Sequence, residues 1–378
     1  MQLTVVADRW GGYGGELYLW ELVYAIIQAG HSVQVYCQQN HADSEANFVH
    51  ALPLPPFPRF VRDRSFCRKV IRELQNSPRH SILAVRPINV ATHYQLPAGL
   101  YAAAFESERE SLNSLLRRWL YWPANSINPK RRLLMQMQEK LLMGRNRPRL
   151  MANSNLVRTQ LQNFYGIASD VVTLHPGINL DRFHPGEKST KAHVPPTGGE
   201  ELSLLFVAHN FVLKGLHCLL AALARARRSG LKARLLVAGE GPIYEFRKLA
   251  RRLGIASQVS FLGAVGQDTL AGLYRSSDTL VHPTFYDPCS SVVLEALACG
   301  CPVITTRRNG AAELMESGKH GLVLDDPRDT EALAEALLAL QDRPELEHMS
   351  YAAALLGRSF DLKTHTAKVV AWLGLPQS

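Results

Sequence analysis

Apolar residues near the start of the chain follow strand spacing, then helix spacing, then strand spacing again. Leu3–Ala7 and Ser32–Cys37 are short runs of apolar and β-branched residues, as in buried strands. Between them, Glu16–Ala29 repeats apolar residues every three or four positions, as in a helix with one buried face. Two strands joined by one helix make a parallel βαβ unit, so this pattern predicts the start of a parallel α/β sheet.

The same alternation is more regular in the C-terminal half of the chain. The predicted strands there are Leu204–Ala208, Ala233–Ala238, Val259–Leu262, Thr279–His282 and Val303–Thr305, and the helices between them are Leu216–Ser229, Ile243–Leu253, Thr269–Ser276 and Ser290–Cys299. Thr330–Leu340 and Ala352–Leu373 are predicted to be closing helices. This order is typical of a doubly wound α/β domain.

The segment between these two series has a looser pattern. It predicts the helices Arg62–Leu74, Glu108–Tyr121, Lys130–Leu142 and Ser154–Tyr165, and the strands Ser81–Arg86 and Arg149–Asn153. The stretch Phe183–Glu201 is rich in proline and glycine and poor in apolar residues, as in a domain linker.

The boundaries that follow are a first domain over 1–183, a linker over 184–200, a second domain over 201–350 and a closing segment over 351–378, which can pack back on the first domain. Two doubly wound domains of this kind leave a cleft between them. Ligands of such sheets bind beside the carboxyl ends of the strands, so the loops that follow strands are the ones to inspect.

Composition excludes several classes of protein. The chain has 378 residues, of which 46% are hydrophobic, so it is not a disordered protein. It contains no run of about 20 apolar residues, which predicts no membrane span, and MQLTVVADRW lacks the basic start of a signal peptide. The six cysteines include no Cys-x-x-Cys pair and are predicted to be reduced thiols in the cytoplasm.

Charge separates the two halves. Residues 1–200 hold 23 Lys and Arg against 15 Asp and Glu, whereas residues 201–378 hold 19 against 18. Most of the surplus lies in 57–149, with 18 basic and 6 acidic residues, which predicts a polyanionic partner for the first half. The chain has no zinc pattern, ribonucleoprotein motif or clear helix-turn-helix, so a nucleic acid is the less favoured partner.

An anionic membrane surface fits better, because the basic residues have apolar and aromatic neighbours. Arg117-Arg118 are followed by the apolar and aromatic run Trp119, Leu120, Tyr121, Trp122. Lys130-Arg131-Arg132 are followed by Leu133, Leu134 and Met135, and three further basic residues, Arg145, Arg147 and Arg149, come later. The alternative is a set of solvated helix faces whose aromatic residues lie in the core.

Three loops after predicted strands carry candidate chemistry. The first is Gly11–Gly15, whose glycines would let backbone amides approach a phosphate, although its spacing matches neither a dinucleotide motif nor a P-loop. The second holds Lys214, which could neutralise a diphosphate. The third is Gly239-Glu240-Gly241, in which Glu240 could face a ligand. For each loop an ordinary turn, or a solvated side chain, is the competing interpretation.

The fourth segment gives the strongest signal. Asp287 follows a strand, Ser290 or Ser291 can begin the next helix, and Glu295 lies about one turn into it. The free amides of a helix start bind anions, and two carboxylates eight residues apart could flank one ligand and accept hydrogen bonds from sugar hydroxyls. The alternative is a capping Asp and a surface Glu, but Glu295 lies in an otherwise apolar helix, where an unpartnered carboxylate is costly.

At this segment the sequence resembles the retaining GT-B glycosyltransferases of glycosyltransferase family 4, and among them the lipopolysaccharide-core glucosyltransferase-like enzymes. The pattern of that family is Glu, seven residues, then Glu-Ala-Leu/Met-Ala-x-Gly-x-Pro-Val. The matching residues here are Asp287, Glu295-Ala296-Leu297-Ala298, Gly300 and Pro302-Val303. Further motifs follow in family order: Gly14-Gly15-Glu16, Gly30-His31-Ser32-Val33, Asn153-Ser154 with Arg158, Pro176-Gly177-Ile178-Asn179, Lys214-Gly215, Gly239-Glu240-Gly241 and Phe261-Leu262-Gly263.

The resemblance implies two Rossmann-like domains and transfer of a sugar from a nucleotide-sugar, UDP- or GDP-linked, with retention of configuration. It implies that Lys214 holds the donor diphosphate, Asp287 contacts the donor sugar and Glu295 binds the ribose. The amides of Ser291 and Val292 would meet phosphate, Glu240 would line the donor site, and Gly14 and Gly15 would lie beside the diphosphate. No metal and no cofactor are implied, which agrees with the lack of an Asp-x-Asp motif.

Three positions depart from the family pattern. Asp287 replaces the first glutamate, Leu213 stands where many members have an arginine before the lysine, and Ala102–Glu108 lacks the histidine that many members have. The favoured function is transfer to a glycan or a lipid-linked, lipopolysaccharide-type acceptor, by a cytoplasmic protein that can bind the inner face of the membrane. The alternative is a nucleotide-sugar-binding protein without transfer activity, which the missing histidine favours slightly.

Overall fold

The computed structural model describes residues 2–11, 15–41, 46–52, 54, 58–75, 81–112, 128–186 and 201–376. These residues form two compact units. One unit comprises Met1–Arg109, Asn113–Gly177 and Leu362–Ser378, and the other comprises Glu110–Leu112 and Ile178–Asp361. Residues 187–200, most of the predicted linker, lie outside the described residues.

The first unit is built on a seven-stranded parallel sheet. The strands, in chain order, are β1 (Gln2–Val6), β3 (Ser32–Cys37), β5 (Val49–Ala51), β6 (Ser81–Ala84), β7 (His93–Leu96), β8 (Arg149–Ala152) and β9 (Val171–Thr173). Their order across the sheet is β5-β3-β1-β6-β7-β8-β9, so the chain first builds outward from β1 on one side and then on the other. The short strands β2 (Arg9–Trp10) and β4 (Gln39–Asn40) pair separately.

Helices connect these strands and bury one face each. They are α1 (Gly15–Gln28), α2 (Arg59–Gln75), α3 (Tyr101–Glu110), α4 (Pro129–Met143) and α5 (Asn155–Tyr165). The ends of α5 show why the sequence forms this helix, because the Ser154 hydroxyl accepts a hydrogen bond from the Val157 amide at 3.3 Å and Gly166 ends it in the left-handed conformation.

The second unit has a six-stranded parallel sheet in the order β12-β11-β10-β13-β14-β15. Its strands are β10 (Leu202–Val207), β11 (Ala233–Ala238), β12 (Val259–Gly263), β13 (Thr279–His282), β14 (Val303–Thr306) and β15 (Gly321–Leu324). Its helices are α6 (Leu216–Arg228), α7 (Ile243–Arg252), α8 (Gln267–Ser276), α9 (Ser291–Ala298), α10 (Thr330–Ala339) and α11 (Arg343–Gly357). Strands buried on both faces explain the nearly continuous apolar runs of this half. The doubly wound α/β fold predicted for both halves is confirmed.

Two predicted helices are wrong in extent. The predicted helix Ala352–Leu373 is two helices, because α11 ends at Gly357 and a 3₁₀ turn (Arg358–Phe360) separates it from α12 (Leu362–Leu373). The predicted helix Glu108–Tyr121 overlaps α3 (Tyr101–Glu110) only at Glu108–Glu110, residues 111 and 112 are not helical, and the rest of the prediction lies outside the described residues.

The last helix, α12, belongs to the first unit and packs on α1. The Tyr18 hydroxyl and His365 Nε2 are 2.7 Å apart, and the Ser81 hydroxyl donates to the Leu373 carbonyl at 3.1 Å. Val369, Val370 and Trp372 join the apolar core of the first unit. In the part of the chain that the structure describes, no helix is both long and apolar enough to cross a bilayer.

Candidate active site

The strongest candidate residues lie at the carboxyl edge of the second sheet, where its winding reverses. The chain builds from β10 toward β12 on one side and from β13 toward β15 on the other, so β10 and β13 are neighbours whose loops diverge. Lys214 is in the loop after β10 and Asp287 is in the loop after β13. In sheets of this type such a reversal point is where ligands bind.

The structure brings Lys214 and Asp287 into direct contact. Lys214 Nζ lies 2.7 Å from Asp287 Oδ2 and also donates to the Tyr286 carbonyl at 2.8 Å. Both side chains are largely buried, with 18% and 13% of their surfaces exposed. Burial by itself would raise the pKa of the Asp287 carboxyl, but the nearby Lys214 ammonium and His282 outweigh it and hold that pKa far below its usual range. The carboxylate is therefore ionised at neutral pH.

His282, which the sequence analysis left without a role, is the third member of this cluster. It is the last residue of β13, is fully buried, and has its Nε2 3.5 Å from Asp287 Oδ2. Burial lowers its pKa more than the carboxylate raises it, so the imidazole is neutral near pH 7. The only sequence signal was a histidine at the end of a buried strand, five residues before the aspartate.

Hydrogen bonds from the loop after β14 fix the position of Asp287. The Asp287 amide donates to the Arg308 carbonyl at 3.0 Å, and the Gly310 amide donates to the Asp287 carbonyl at 2.8 Å. The buried Asn309 side chain accepts from the Ser290 amide at 3.2 Å and from the Ala311 amide at 3.0 Å. Asn309 thus holds the loop that carries Asp287, and the sequence analysis did not identify it.

Gly215 is required on the other side of the pair. Its φ is +79°, and a Cβ there would lie 2.1 Å from the Pro283 carbonyl oxygen. Only glycine lets the loop after β10 approach the loop after β13 this closely. The contact between Lys214 and Asp287 depends on that approach.

Helix α9 begins directly after the Asp287 loop and carries three of the predicted donor-binding residues. The Ser290 side chain makes no capping hydrogen bond, and the amides of Ser291 and Val292, in the first turn, have no acceptor within the helix. This helix start therefore presents backbone donors and the positive end of the helix dipole. Glu295 lies one turn further, is buried, and accepts a hydrogen bond from the Tyr274 hydroxyl at 2.9 Å.

The remaining predicted residues are more dispersed. Glu240 follows β11 at the same sheet edge as Lys214 and has an exposed side chain. Gly15 is the first residue of α1 in the first unit, and Gly14 lies outside the described residues. Within the described ranges, no group of three or more His, Cys, Asp or Glu is placed to hold a metal ion.

Together these features can receive a phosphate-rich ligand. A largely buried lysine and an uncapped helix start offer positive charge and fixed donors, and they lie beside carboxylates that accept hydrogen bonds from hydroxyls. Such an arrangement favours a negatively charged diphosphate that is linked to a polyhydroxyl group.

Two family models match the chain, one in each half. Residues 201–343 match "Glycosyl transferases group 1", and residues 12–182 match "Glycosyltransferase Family 4". These two matches together extend over most of the chain.

Curated relatives and solved structures agree with the models. The D-inositol 3-phosphate glycosyltransferase 2 of Catenulispora acidiphila is 35% identical over 209 residues, which are 52% of this chain and 48% of the relative. The D-inositol 3-phosphate glycosyltransferase of Actinosynnema mirum is 30% identical over 263 residues, 66% of this chain and 62% of the relative. The match to the first of these thus spans about half the relative's length.

Solved structures resemble nearly the whole chain in fold. WaaG, a glycosyltransferase involved in lipopolysaccharide biosynthesis, has a TM-score of 0.80 at 21% identity and covers 98% of this chain and 99% of its own. HepE from Anabaena, solved with UDP-glucose, has a TM-score of 0.71 at 17% identity and covers 99% of each chain. These likenesses in fold agree with the two Rossmann-like sheets of the GT-B class that were predicted for this sequence. The chain therefore belongs to the group 1 glycosyltransferases of glycosyltransferase family 4.

Proposed function

We propose that this protein transfers a sugar from a nucleotide-sugar to a glycan or lipid-linked acceptor, with retention of configuration. The observation that carries the proposal is the buried pair of Lys214 and Asp287 beside the uncapped start of α9. A nucleotide-sugar contains what this site can bind, namely a diphosphate and two groups of hydroxyls. HepE, which shares the fold, is described in complex with UDP-glucose, and this supports a UDP-linked donor.

Lys214 and the amides of Ser291 and Val292 would stabilise the leaving diphosphate. Negative charge grows on the diphosphate as the glycosidic bond breaks, and fixed donors that face such charge stabilise the transition state without reorganising. Because a lysine and backbone amides can supply this stabilisation, the proposed mechanism requires no metal. Chelation with EDTA is therefore expected to leave the rate of transfer unchanged.

The two carboxylates would have separate roles. Asp287 would accept hydrogen bonds from the donor sugar, and its ionised state at neutral pH suits that role. Glu295 would bind the ribose, and Tyr274 would fix its carboxylate through their 2.9 Å hydrogen bond. Glu240, Gly14 and Gly15 are assigned to the donor site by their resemblance to family motifs alone.

The acceptor is proposed to be a lipopolysaccharide-type or other lipid-linked glycan. WaaG, described as involved in lipopolysaccharide biosynthesis, supports such an acceptor by its resemblance in fold. Curated relatives named D-inositol 3-phosphate glycosyltransferases support a small polyhydroxyl acceptor instead. Both acceptors have a sugar-like ring with several hydroxyl groups.

The test is release of nucleoside diphosphate from purified protein incubated with UDP-, GDP- and ADP-glucose. Lys214→Ala is expected to lower kcat by about 10²–10³-fold, the usual effect of removing one group that stabilises developing charge. The matched control is Lys319→Ala, because Lys319 is exposed and pairs only locally with Glu316. A Lys214→Ala variant within a few-fold of the wild type would remove Lys214 from the mechanism.

The alternative, a nucleotide-sugar-binding protein without transfer activity, predicts a different result in the same experiment. It would bind UDP-glucose, release no UDP with or without added acceptors, and give the same null rate for Lys214→Ala. Calorimetry with UDP-glucose, carried out in parallel, distinguishes this result from a protein that fails to bind the donor.

A further inference from the structure

The first sheet carries an ion pair at the same topological position as the Lys214–Asp287 pair. Its winding reverses between β1 and β6, just as the winding of the second sheet reverses between β10 and β13. Asp8 lies just after β1 and Arg86 just after β6, and Arg86 Nη1 donates to Asp8 Oδ1. In each sheet, therefore, one carboxylate and one cation join the loops that follow the two central strands. In the first sheet the carboxylate follows β1, the earlier of the two strands, and in the second sheet it follows β13, the later one.

Arg86 is the anchor of this cluster, because it is almost completely buried, with 1% of its side chain exposed. Its Nη2 lies 3.9 Å from Asp63 Oδ1, and its guanidinium lies over the Phe66 ring at 5.0 Å. Among the described residues, Arg86 Nε and Nη2 and Asp63 Oδ2 make no hydrogen bond. Buried polar atoms without hydrogen bonds cost stability, so each of these atoms calls for an explanation, such as a ligand that binds beside it.

Gln38 completes the support of Asp8. It follows β3, the neighbour of β1, and its Nε2 donates to Asp8 Oδ1 at 3.0 Å and to Asp63 Oδ1 at 2.9 Å. Two donors therefore meet a single oxygen of Asp8. The Asp8 side chain remains 51% exposed, and its Oδ2 accepts no hydrogen bond from the residues that the structure describes.

The charge of the cluster indicates the kind of ligand. Asp8 and Asp63 face a single guanidinium, and the neighbouring Arg9 pairs with Glu16 at 3.3 Å, so these ion pairs together carry a net negative charge. A fixed, exposed carboxylate oxygen with a negative surrounding repels phosphate and accepts hydrogen bonds from neutral hydroxyls. Tyr101, the first residue of α3, lies close enough to interact with Asp8 and Arg86. Burial raises the pKa of its phenol, which therefore stays protonated.

We propose that Asp8, held by Arg86 and Gln38, binds the hydroxyl groups of an uncharged sugar or cyclitol ring of the acceptor. The assignment rests on the proposed function, because it is transfer that requires a second polyhydroxyl substrate. It adds that the ring bound at this edge of the first sheet is neutral, and that any phosphate or lipid carried by the acceptor lies elsewhere.

The test uses four small probes: methyl α-glucopyranoside and myo-inositol as neutral rings, and glucose 6-phosphate and myo-inositol 3-phosphate as charged ones. Binding to the full chain saturated with UDP is measured by saturation-transfer NMR titration. Asp8→Asn keeps an oxygen for Arg86 and Gln38 and changes only the outward acceptor into a donor. It should weaken binding of the neutral rings about tenfold or more, as expected for loss of a hydrogen bond to a charged group.

The matched control is Asp170→Asn, the same change at the opposite, amino edge of the same sheet, just before β9. It should leave binding of all four probes unchanged. Melting temperatures of all variants check folding, and Asp8→Asn should retain its UDP affinity.

Three results would overturn the proposal: unchanged binding of neutral rings by Asp8→Asn, tighter Asp8-dependent binding of the phosphorylated probes, or no binding of any neutral ring at millimolar concentration. Failure of the wild type to bind UDP is a different result, since it would contradict the proposed donor function and leave the comparison of ring binding intact.

Discussion

At the scale of single residues, Lys214 and Asp287 determine each other's state. The contact is 2.7 Å long and mostly buried, so removing either partner leaves a charge with little water around it. The penalty for that is usually larger than the net contribution of the intact pair. The two residues therefore form one unit energetically, whatever each of them binds.

The first prediction follows from that coupling. Lys214→Ala should destabilise the fold more than the double variant Lys214→Ala/Asp287→Asn, because the second substitution removes the unpaired carboxylate. A coupling free energy of about 1–3 kcal/mol is expected from a double-mutant cycle measured by urea unfolding. The exposed pair of Arg307 and Asp325 is the matched control and should show about 0.5 kcal/mol or less. Additive effects at Lys214 and Asp287 would contradict the prediction.

The second prediction separates the two carboxylates of the proposed donor site. Glu295→Gln should weaken UDP affinity, because UDP contains the ribose that Glu295 is proposed to bind. Asp287→Asn should retain UDP affinity and impair transfer, because UDP lacks the sugar. Calorimetry with UDP on both variants measures the difference, with Asp325→Asn as a surface control. Equal losses of UDP affinity in the two variants would reject the assignment.

The sequence predicted these residues unevenly, for physical reasons. Lys214, Asp287 and Glu295 were proposed as site residues because their types and spacing match a family motif. His282 and Asn309 were not, because their roles depend on how loops fold back at the sheet edge. Asn309 lies 22 residues after Asp287, and its contact with the Ser290 amide exists only once β13 and β14 pair.

At the scale of elements, the sequence failed to predict a strand and a helix end where the burial of the residues does not follow from their hydrophobicity. Strand β7 (His93–Leu96) was missed because two of its four residues are polar, although all four are buried. Gln95 Nε2 in this strand donates to the Tyr18 hydroxyl at 3.1 Å, which compensates for the burial of this nitrogen. The end of α11 was missed because apolar residues continue beyond it. There Gly357 packs so closely on α9 that a Cβ would lie 2.3 Å from the Ala298 Cα.

The packing of α12 on the first unit predicts a loss of stability in acid. Burial, reinforced by the charge of Lys368, lowers the pKa of His365 in α12 to about 4. His93 packs on Trp372 of the same helix, and burial together with the charge of Arg149 lowers the pKa of His93 to about 4. Between about pH 6.5 and pH 4 the unfolded chain takes up protons at both histidines and the folded chain does not. The free energy of unfolding therefore falls as the pH falls through this range.

In this third prediction, the free energy of unfolding falls by on the order of 3 kcal/mol per histidine between about pH 6.5 and pH 4. Urea unfolding at pH 7 and pH 5 measures it, and His365→Gln should reduce the difference between the two values. His348→Gln, at an exposed position of α11, is the control and should leave the difference as it is in the wild type. An unchanged difference in His365→Gln would show that the buried imidazole is not responsible.

At the scale of the whole molecule, the basic surplus of residues 57–149 is only partly available to a partner. Arg131 pairs with Glu108 at 2.5 Å, and Arg149 donates to the Trp372 carbonyl at 2.8 Å, so both serve the fold. Arg132, Lys140 and Arg145 are exposed, and α4 also exposes Met135 and Met143. The predicted run of Arg117 to Trp122 lies outside the described residues.

The fourth prediction is reversible binding to anionic membranes through these exposed residues. Each basic residue near such a surface contributes about 1 kcal/mol, and salt screens the attraction within about 8 Å at physiological ionic strength. Co-sedimentation with vesicles should require anionic lipid and decrease as salt rises. Arg132→Glu should weaken binding, whereas Arg251→Glu, an exposed position of α7, should have little effect. Equal binding to neutral vesicles would contradict an electrostatic interaction.

The return of α12 to the first unit also sets the order in which the protein can fold during synthesis. Apart from Glu110–Leu112, the second unit is the stretch Ile178–Asp361, whose first and last residues form a bridge, with the Ile178 amide donating to the Phe360 carbonyl at 2.6 Å. All of this stretch is synthesised before α12. The first unit begins earlier but waits for Trp372 and Leu373, whose carbonyls accept hydrogen bonds from Arg149 and Ser81. About 200 residues separate Gly177, where the main part of the first unit ends, from Leu373. At 5–20 residues per second their synthesis takes roughly 10–40 s, during which the core of the first unit stays open to chaperones and proteases.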